Sequence, residues 1–119
     1  MSDILSYGYY LPHFIIEEKT LSPAFGRKGK RSVGYVDEDI ITLAFEAANN
    51  CLGENKNVDG IFFATTSPVF HNRYHASFLS DLLNLPKEIF ALDFDSTPRA
   101  GTDALLLAHH LVDSGIYKN

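Results

Sequence analysis

Two short apolar runs, each followed by a helical pattern, limit what this chain can fold into. Ile61–Thr65 is a continuous apolar run that is too short for a helix and is typical of a buried parallel strand. Ile89–Phe94 indicates a second strand. Apolar residues recur at helical spacing over Ala76–Leu83, after the first run, and over Ala100–Val112, after the second. The alternation of strands with helices predicts an α/β domain.

The first half of the chain is predicted from turn and capping residues. Ile4–Tyr10 is rich in β-branched and aromatic residues, which indicates a strand that ends before Pro12. Glu17–Lys30 is rich in turn residues and predicts a short helix and a mobile loop. Asp37 is the predicted N-cap of a helix that Gly53 ends.

The two later helices differ in how much of their surface is apolar. The Ala76–Leu83 helix cannot continue through Pro86, and it is expected to bury four apolar side chains, Phe78, Leu79, Leu82 and Leu83. The Ala100–Val112 helix is apolar around most of its surface, which predicts burial on nearly all sides. Thr97 is its predicted cap, with Pro98 at the first helical position, where the missing N–H costs nothing.

Length and composition exclude several classes of protein. A chain of 119 residues has the length of one domain, and its net charge of −5 argues against a nucleic-acid-binding protein. No apolar run reaches the roughly 20 residues of a membrane helix, and the N-terminus has no signal-peptide pattern. One cysteine cannot form an internal disulfide. We therefore expect a cytoplasmic protein with no membrane and no nucleic-acid partner.

Several segments carry a family resemblance through their order and spacing. They are the opening Ile4–Pro12, the basic Lys30–Val33, the stretch Val58–Ser67 and the turn Asp95–Thr102. In this order they resemble the hydroxymethylglutaryl-CoA synthases of the thiolase superfamily, most closely the group found with an OB-fold and zinc-ribbon companion domain. The resemblance implies a three-layer α/β/α architecture, namely the N-terminal half of a thiolase-like fold with an incomplete mixed sheet.

Two positions that carry catalysis in the resembled family hold other residues here. Pro98 stands where the family has its nucleophilic cysteine, and Thr66 stands where it has an acid/base glutamate. A proline cannot form a thioester, and a hydroxyl of ordinary pKa cannot replace the glutamate near neutral pH. The alternative for Pro98 is an ordinary proline at a helix start, but the flanking Arg99–Thr102 favours a degenerate acyl site.

The resemblance also implies that the chain does not complete the fold by itself. Residues 1–119 are expected to form a single half domain, which is either a fragment or a subunit completed by a partner. In the family a further strand follows the last helix and joins the strands before it. The expected partners are a second thiolase half or an OB-fold companion protein.

One basic cluster is a candidate coenzyme A site. Lys28, Lys30 and Arg31 fall in the region that, by resemblance, contacts the phosphates of coenzyme A, and arginine suits bidentate phosphate contact. A solvated basic loop is an equal alternative. We expect no covalently bound cofactor, and coenzyme A or acyl-CoA as the ligand.

The cysteine and the histidines give no metal or thiol site. Cys51 lies on the apolar face of its predicted helix without a basic neighbour, which is typical of a structural cysteine. No cysteine or glutamate completes a metal motif with the histidines, so we predict no metal. His71, His75, His109 and His110 are expected to be surface residues or satisfied core residues.

The predicted strand Ile89–Phe94 is a candidate dimer interface. Ile89–Phe94 is apolar and contains no proline or lysine, and an unprotected edge of this kind pairs with other chains. By resemblance it is the edge through which two copies pair, with Phe90, Leu92 and Phe94 as anchors. The alternative is an interior strand covered by its own helices.

Three functions follow from these residues and the resemblance. The first is part of an acyl-CoA-handling assembly of the hydroxymethylglutaryl-CoA synthase or thiolase type, catalytically inert alone. The second is half of a cysteine-free, aldolase-like enzyme that acts on β-hydroxyacyl-CoA. The third is a non-catalytic scaffold subunit.

Overall fold

The computed structural model describes residues 1–21, 29–95 and 97–119. Their elements follow in the order β1 (Phe14–Glu17), α1 (Glu18–Leu21), β2 (Lys30–Val33), α2 (Ile40–Leu52), β3 (Gly60–Ala64), α3 (His75–Leu82), β4 (Phe90–Phe94) and α4 (Ala100–Asp113). The described strands form two separate two-stranded sheets, β1 with β2 and β3 with β4. No helix in these ranges is long and apolar enough to cross a bilayer.

The parallel pair β3–β4 is the centre of the domain and confirms the predicted α/β class. Gly60 pairs with Phe90 and Ala64 with Phe94, so the two strands run in register along their whole length. The predicted strands agree with the observed ones to within one residue at each end. Helix α3 makes the crossover between them, as parallel neighbours require.

The core lies between one face of β3–β4 and the helices α2 and α3. Side chains alternate along a strand, so Ile61 and Phe63 point to the same face. Both pack in one apolar cluster. The buried members of that cluster are Ile41, Phe63, Ala76, Leu79, Leu83 and Leu85. Of the four side chains predicted to be buried from the α3 region, Leu79 and Leu83 are, whereas Phe78 and Leu82 are exposed. The helix packs on one side only.

The N-terminal segment is not the predicted strand. Ile4–Tyr10 has no strand partner among the described residues, and a strand requires a neighbouring backbone to bond. It is held instead by contacts to α2 and to the residues just before that helix. The amide of Asn50 on α2 donates to the Tyr9 carbonyl at 3.1 Å, and the Tyr10 hydroxyl donates to Glu38 at 2.6 Å.

An antiparallel strand pair that was not predicted from the sequence flanks the turn-rich region. Strand β1 pairs with β2, from Phe14 opposite Val33 to Glu17 opposite Lys30. The predicted short helix is confirmed as α1, and the predicted mobile loop lies largely outside the described residues.

The caps of α2 differ from the prediction at one end. Asp39, not Asp37, is the N-cap, because its carboxylate accepts the backbone N–H groups of Ile41 (2.8 Å) and Thr42 (2.9 Å). Thr42 completes a capping box by accepting from the Asp39 N–H at 2.8 Å. Gly53 ends the helix as predicted, with φ at +55°, where glycine is favoured.

Helix α4 is much more exposed than predicted. Leu105 and Leu106 are 62% and 53% exposed, and of its residues only Ala100 and Ala104 are buried. Burial was predicted from apolar residues around most of the helix, and this prediction requires other elements to pack against every side of it. In the described residues α4 packs against β3 and β4 and leaves these leucines open.

Candidate functional site

The candidate site lies at the carboxyl ends of β3 and β4. Parallel strands end at the same edge of their sheet, so the loop after β3 and the turn after β4 meet there. A shallow depression of about 330 Å³ lies at this edge. Its lining residues are Ala64, Thr65, Thr66, Pro98, Ala100 and Gly101. The structure thus brings Thr66 and Pro98, predicted from separate segments, to one site.

The Pro98 turn is built differently from the prediction. Helix α4 begins at Ala100 with Arg99 as its N-cap residue, and Arg99 makes no side-chain capping bond. Thr97 caps the turn before the helix: its hydroxyl accepts the Arg99 N–H at 3.1 Å and its carbonyl accepts the Ala100 N–H at 3.0 Å. Pro98 therefore sits in that turn, exposed, and not at the first helical position.

The lining of this depression has little capacity for proton transfer or nucleophilic attack. The polar side chains among its lining residues are the hydroxyls of Thr65 and Thr66. The Thr65 hydroxyl accepts the Ser67 N–H at 3.0 Å, which shapes the turn after β3. Cys51 lies on α2, where its sulfur contacts the Ser6 hydroxyl at 3.3 Å, and it does not line the depression.

A second depression of about 480 Å³, whose lining includes charged side chains, opens near the same end of β4. It was not predicted from the sequence. Its lining residues are Phe70, His71, Asn72, Arg73, Tyr74, Asp93 and Asp95. The Arg73 guanidinium lies 5.2 Å from the centroid of the Phe70 ring, a cation–π contact that holds the loop side chains together.

A buried histidine–aspartate pair lies behind this second depression. His75 Nδ1 is 2.6 Å from Asp93 Oδ2, and their side chains are 1% and 7% exposed. His75 is thus a satisfied core histidine, one of the two outcomes predicted for it. The pairing itself was missed, although a carboxylate inside the apolar Ile89–Phe94 run was a usable signal, because buried charges are paired.

Two residues of the basic cluster, Lys30 and Arg31, are among the described residues, and Arg31 is paired with a carboxylate. Lys28 lies outside the described residues, and Lys30 is exposed on β2. Arg31 Nη2 lies 3.3 Å from Glu18 Oε1 on α1. The coenzyme A role of these three residues stays a prediction, since the guanidinium already has a carboxylate partner that a phosphate would have to replace.

The remaining histidines lie at the surface. His71 is exposed in the second depression, and His109 and His110 are exposed on α4. His109 contacts Asp113, one turn along, and the Ser2 hydroxyl. Within the described ranges no group of three His, Cys, Asp or Glu side chains is placed to hold a metal ion.

The proposed dimer anchors pack partly within the chain. The Phe62 ring makes edge-to-face contacts with Phe90 and Phe94, each with centroids 5.9 Å apart. Phe90 is nevertheless 40% exposed. On its side away from β3, β4 pairs with no strand of the described residues. Dimerisation through Phe90, Leu92 and Phe94 stays a prediction.

Curated relatives cover nearly all of this chain. No family model matches it. It is 31% identical to the hydroxymethylglutaryl-CoA synthase of Thermococcus sibiricus over 97% of the chain and 35% of that relative. It is 30% identical to the hydroxymethylglutaryl-CoA synthase of Pyrococcus furiosus over 95% of the chain and 35% of that relative. The chain therefore spans about a third of the length of the curated relatives it matches.

Solved structures share the fold over similar spans. A β-ketoacyl-acyl carrier protein synthase III from Thermus thermophilus matches with a TM-score of 0.81 and 26% identity, over 98% of this chain and 40% of that one. An HMG-CoA synthase complexed with CoA matches with a TM-score of 0.81 and 21% identity, over 92% of this chain and 31% of that one. At such identities the likeness to the second protein shows a common fold.

Proposed function

Because this chain belongs to the thiolase superfamily as a hydroxymethylglutaryl-CoA synthase-like half domain, we propose that it forms part of an acyl-CoA-handling assembly and is catalytically inert by itself. The observation that carries the proposal is the shared depression of Thr66 and Pro98. The position that would attack a thioester and the position that would move a proton lie together, and neither has the required group.

Inertness follows from the chemistry of the two side chains. Pro98 has no side-chain heteroatom, so it cannot accept an acyl group. A threonine hydroxyl such as that of Thr66 is not ionised near neutral pH and cannot serve as a general base there. Cys51 cannot replace Pro98, because it lies on α2 beside Ser6 and outside the lining of the depression.

Coenzyme A or an acyl-CoA is the ligand we propose for this edge of the sheet. A structural neighbour is an HMG-CoA synthase complexed with CoA, and the present chain keeps an open depression at the ends of β3 and β4. Lys28, Lys30 and Arg31 are the proposed phosphate contacts. Since Lys30 and Arg31 are exposed, the contact should be weak and salt-sensitive, with screening over about 10 Å at 0.1 M salt.

A second candidate function is half of a cysteine-free, aldolase-like enzyme acting on β-hydroxyacyl-CoA. It is favoured by the openness of the depression despite the absent nucleophile, and by its two threonine hydroxyls, which could bind a thioester or hydroxyacyl oxygen. In this function the proton-transfer groups come from the part of the relatives' fold that these 119 residues do not span.

The test combines intact mass with calorimetry. Incubation with acetyl-CoA should leave the mass of the protein unchanged, whereas a stable acetyl adduct on any residue, Cys51 included, would contradict inertness. Calorimetry should detect coenzyme A binding that weakens with salt and is abolished by Arg31→Glu. The matched control is Lys87→Glu, an exposed residue before β4 at the opposite end of the strands. Binding that ignores both salt and Arg31→Glu would contradict the phosphate contacts.

A further inference from the structure

The carboxylate of Asp93, on strand β4, caps the N-terminal end of α3. Its Oδ2 accepts from the backbone N–H of His75 at 2.7 Å and its Oδ1 accepts from that of Ala76 at 2.9 Å. Tyr74, the N-cap residue of α3, makes no side-chain capping bond. A strand residue thus supplies the cap that the helix lacks locally, which ties the start of α3 to the end of β4.

The His75 ring extends this connection to the loop after β3. Its Nε2 lies 3.0 Å from the Val69 nitrogen and 3.1 Å from the Phe70 nitrogen, and both backbone N–H groups donate to it. An atom that accepts two hydrogen bonds carries no proton, so the single proton of the neutral ring is on Nδ1 and is donated to Asp93. The neighbours on both sides therefore select one tautomer.

The ring is also fixed by stacking. Phe63 and Phe70 lie nearly parallel to it, with centroids 5.1 Å and 5.0 Å away and interplanar angles of 10° and 26°. Phe63 belongs to β3 and Phe70 to the loop. The buried imidazole of His75 therefore connects α3 to β3, to β4 and to the loop.

The loop held in this way leads from one depression to the other. It leaves Thr66 in the first depression and supplies Phe70–Tyr74 to the second. We infer that His75 and Asp93 are positioning residues. Through the Nδ1-protonated tautomer of His75, they hold the loop in the shape that forms the ligand-binding edge. The identity of the ligand, coenzyme A or an acyl-CoA, rests on the proposed function.

Two substitutions at His75 distinguish the contact that Nδ1 makes with Asp93 from the contact that Nε2 makes with the loop. In His75→Asn the amide reaches the place of Nδ1 and can bond Asp93, but it is too short to reach the loop. In His75→Gln the amide oxygen reaches the place of Nε2 and can accept from Val69 and Phe70. Hydrogen exchange of these two amides should be about tenfold faster in His75→Asn and near the unmodified rate in His75→Gln. His110→Asn, an exposed histidine on α4, is the matched control.

Three readouts decide the inference. Nitrogen NMR of the unmodified protein should show His75 protonated at Nδ1, and protonation at Nε2 would overturn it. Equal exchange in the Asn and Gln variants would overturn the role of Nε2. Coenzyme A should bind several-fold more weakly to His75→Asn than to His75→Gln, and equal affinities would overturn the positioning of the ligand edge. If the unmodified protein binds no coenzyme A, the proposed function fails, and hydrogen exchange still decides whether His75 holds the loop.

Discussion

Gly8 makes a close contact that tolerates no larger residue. A Cβ atom built at this position would lie 2.5 Å from the Ala47 carbonyl oxygen, 2.9 Å from the Asn50 carbonyl carbon, and in overlap with the Cys51 nitrogen. All three are backbone atoms of α2, which cannot yield without breaking the helix. In Gly8→Ala the N-terminal segment must therefore move away from α2.

The cost can be estimated from the contacts that this movement strains. Overpacking typically costs about 1–3 kcal/mol. The affected contacts include the Asn50–Tyr9 hydrogen bond and the Tyr10–Glu38 hydrogen bond. We expect a loss of about 2 kcal/mol. With an unfolding entropy of about 2.1 cal/mol/K per residue over 119 residues, this lowers Tm by roughly 8 °C.

A matched glycine should respond in the opposite direction. Gly101 lies in α4, and a Cβ built there meets no atom within 4 Å. Gly101→Ala should raise Tm by roughly 2 °C, because alanine is favoured over glycine in a helix by about 0.5 kcal/mol or more. Thermal unfolding followed by circular dichroism gives both values, and limited proteolysis should show faster cleavage within residues 1–10 of Gly8→Ala only. A Gly8→Ala variant with unchanged Tm and unchanged proteolysis would refute the close packing.

Two further predictions concern pH and self-association. The hydrogen bond from Tyr10 to Glu38 is the main cause that raises the pKa of Tyr10 above 10.0 and lowers the pKa of Glu38 below 4.5. The contribution of this hydrogen bond to the free energy of unfolding is therefore lost as pH falls through the lowered Glu38 pKa, and it is lost again as pH rises through the raised Tyr10 pKa. Tyr10→Phe should be destabilising at neutral pH but not at either extreme, and an equal difference at every pH in chemical unfolding would contradict this. We also propose that two copies pair through the edge of β4 away from β3, which has no strand partner among the described residues. Leu92→Lys should then abolish a dimer seen by light scattering, while Val36→Lys, at an exposed position, should not. A monodisperse monomer of the unmodified chain would exclude edge pairing.

Local patterns predicted the central elements well. Strands β3 and β4 and helices α2, α3 and α4 were placed to within about three residues, because apolar periodicity, Gly53 and the block at Pro86 act over a few residues of chain. The predictions were wrong for Ile4–Tyr10, for the N-cap at Asp37 and for the capping of α4 by Thr97. At each of these places a partner or a turn geometry decides between alternatives that the sequence leaves equally good.

In the candidate site, too, some features could be predicted from the sequence and others depend on the folded structure. The prediction that Pro98 stands at the position of a nucleophile and Thr66 at that of a carboxylate comes from the sequence alone, since it depends on residue identity at two positions of a resembled pattern. That both positions line one depression depends on the parallel pairing of β3 with β4. The contact of His75 with Asp93 and with the Val69 and Phe70 amides likewise exists only in the folded chain. Periodicity and residue identity are local and can be read from the sequence, whereas burial, hydrogen-bond partners and the exposure of Leu105 and Leu106 depend on which distant segments pack together.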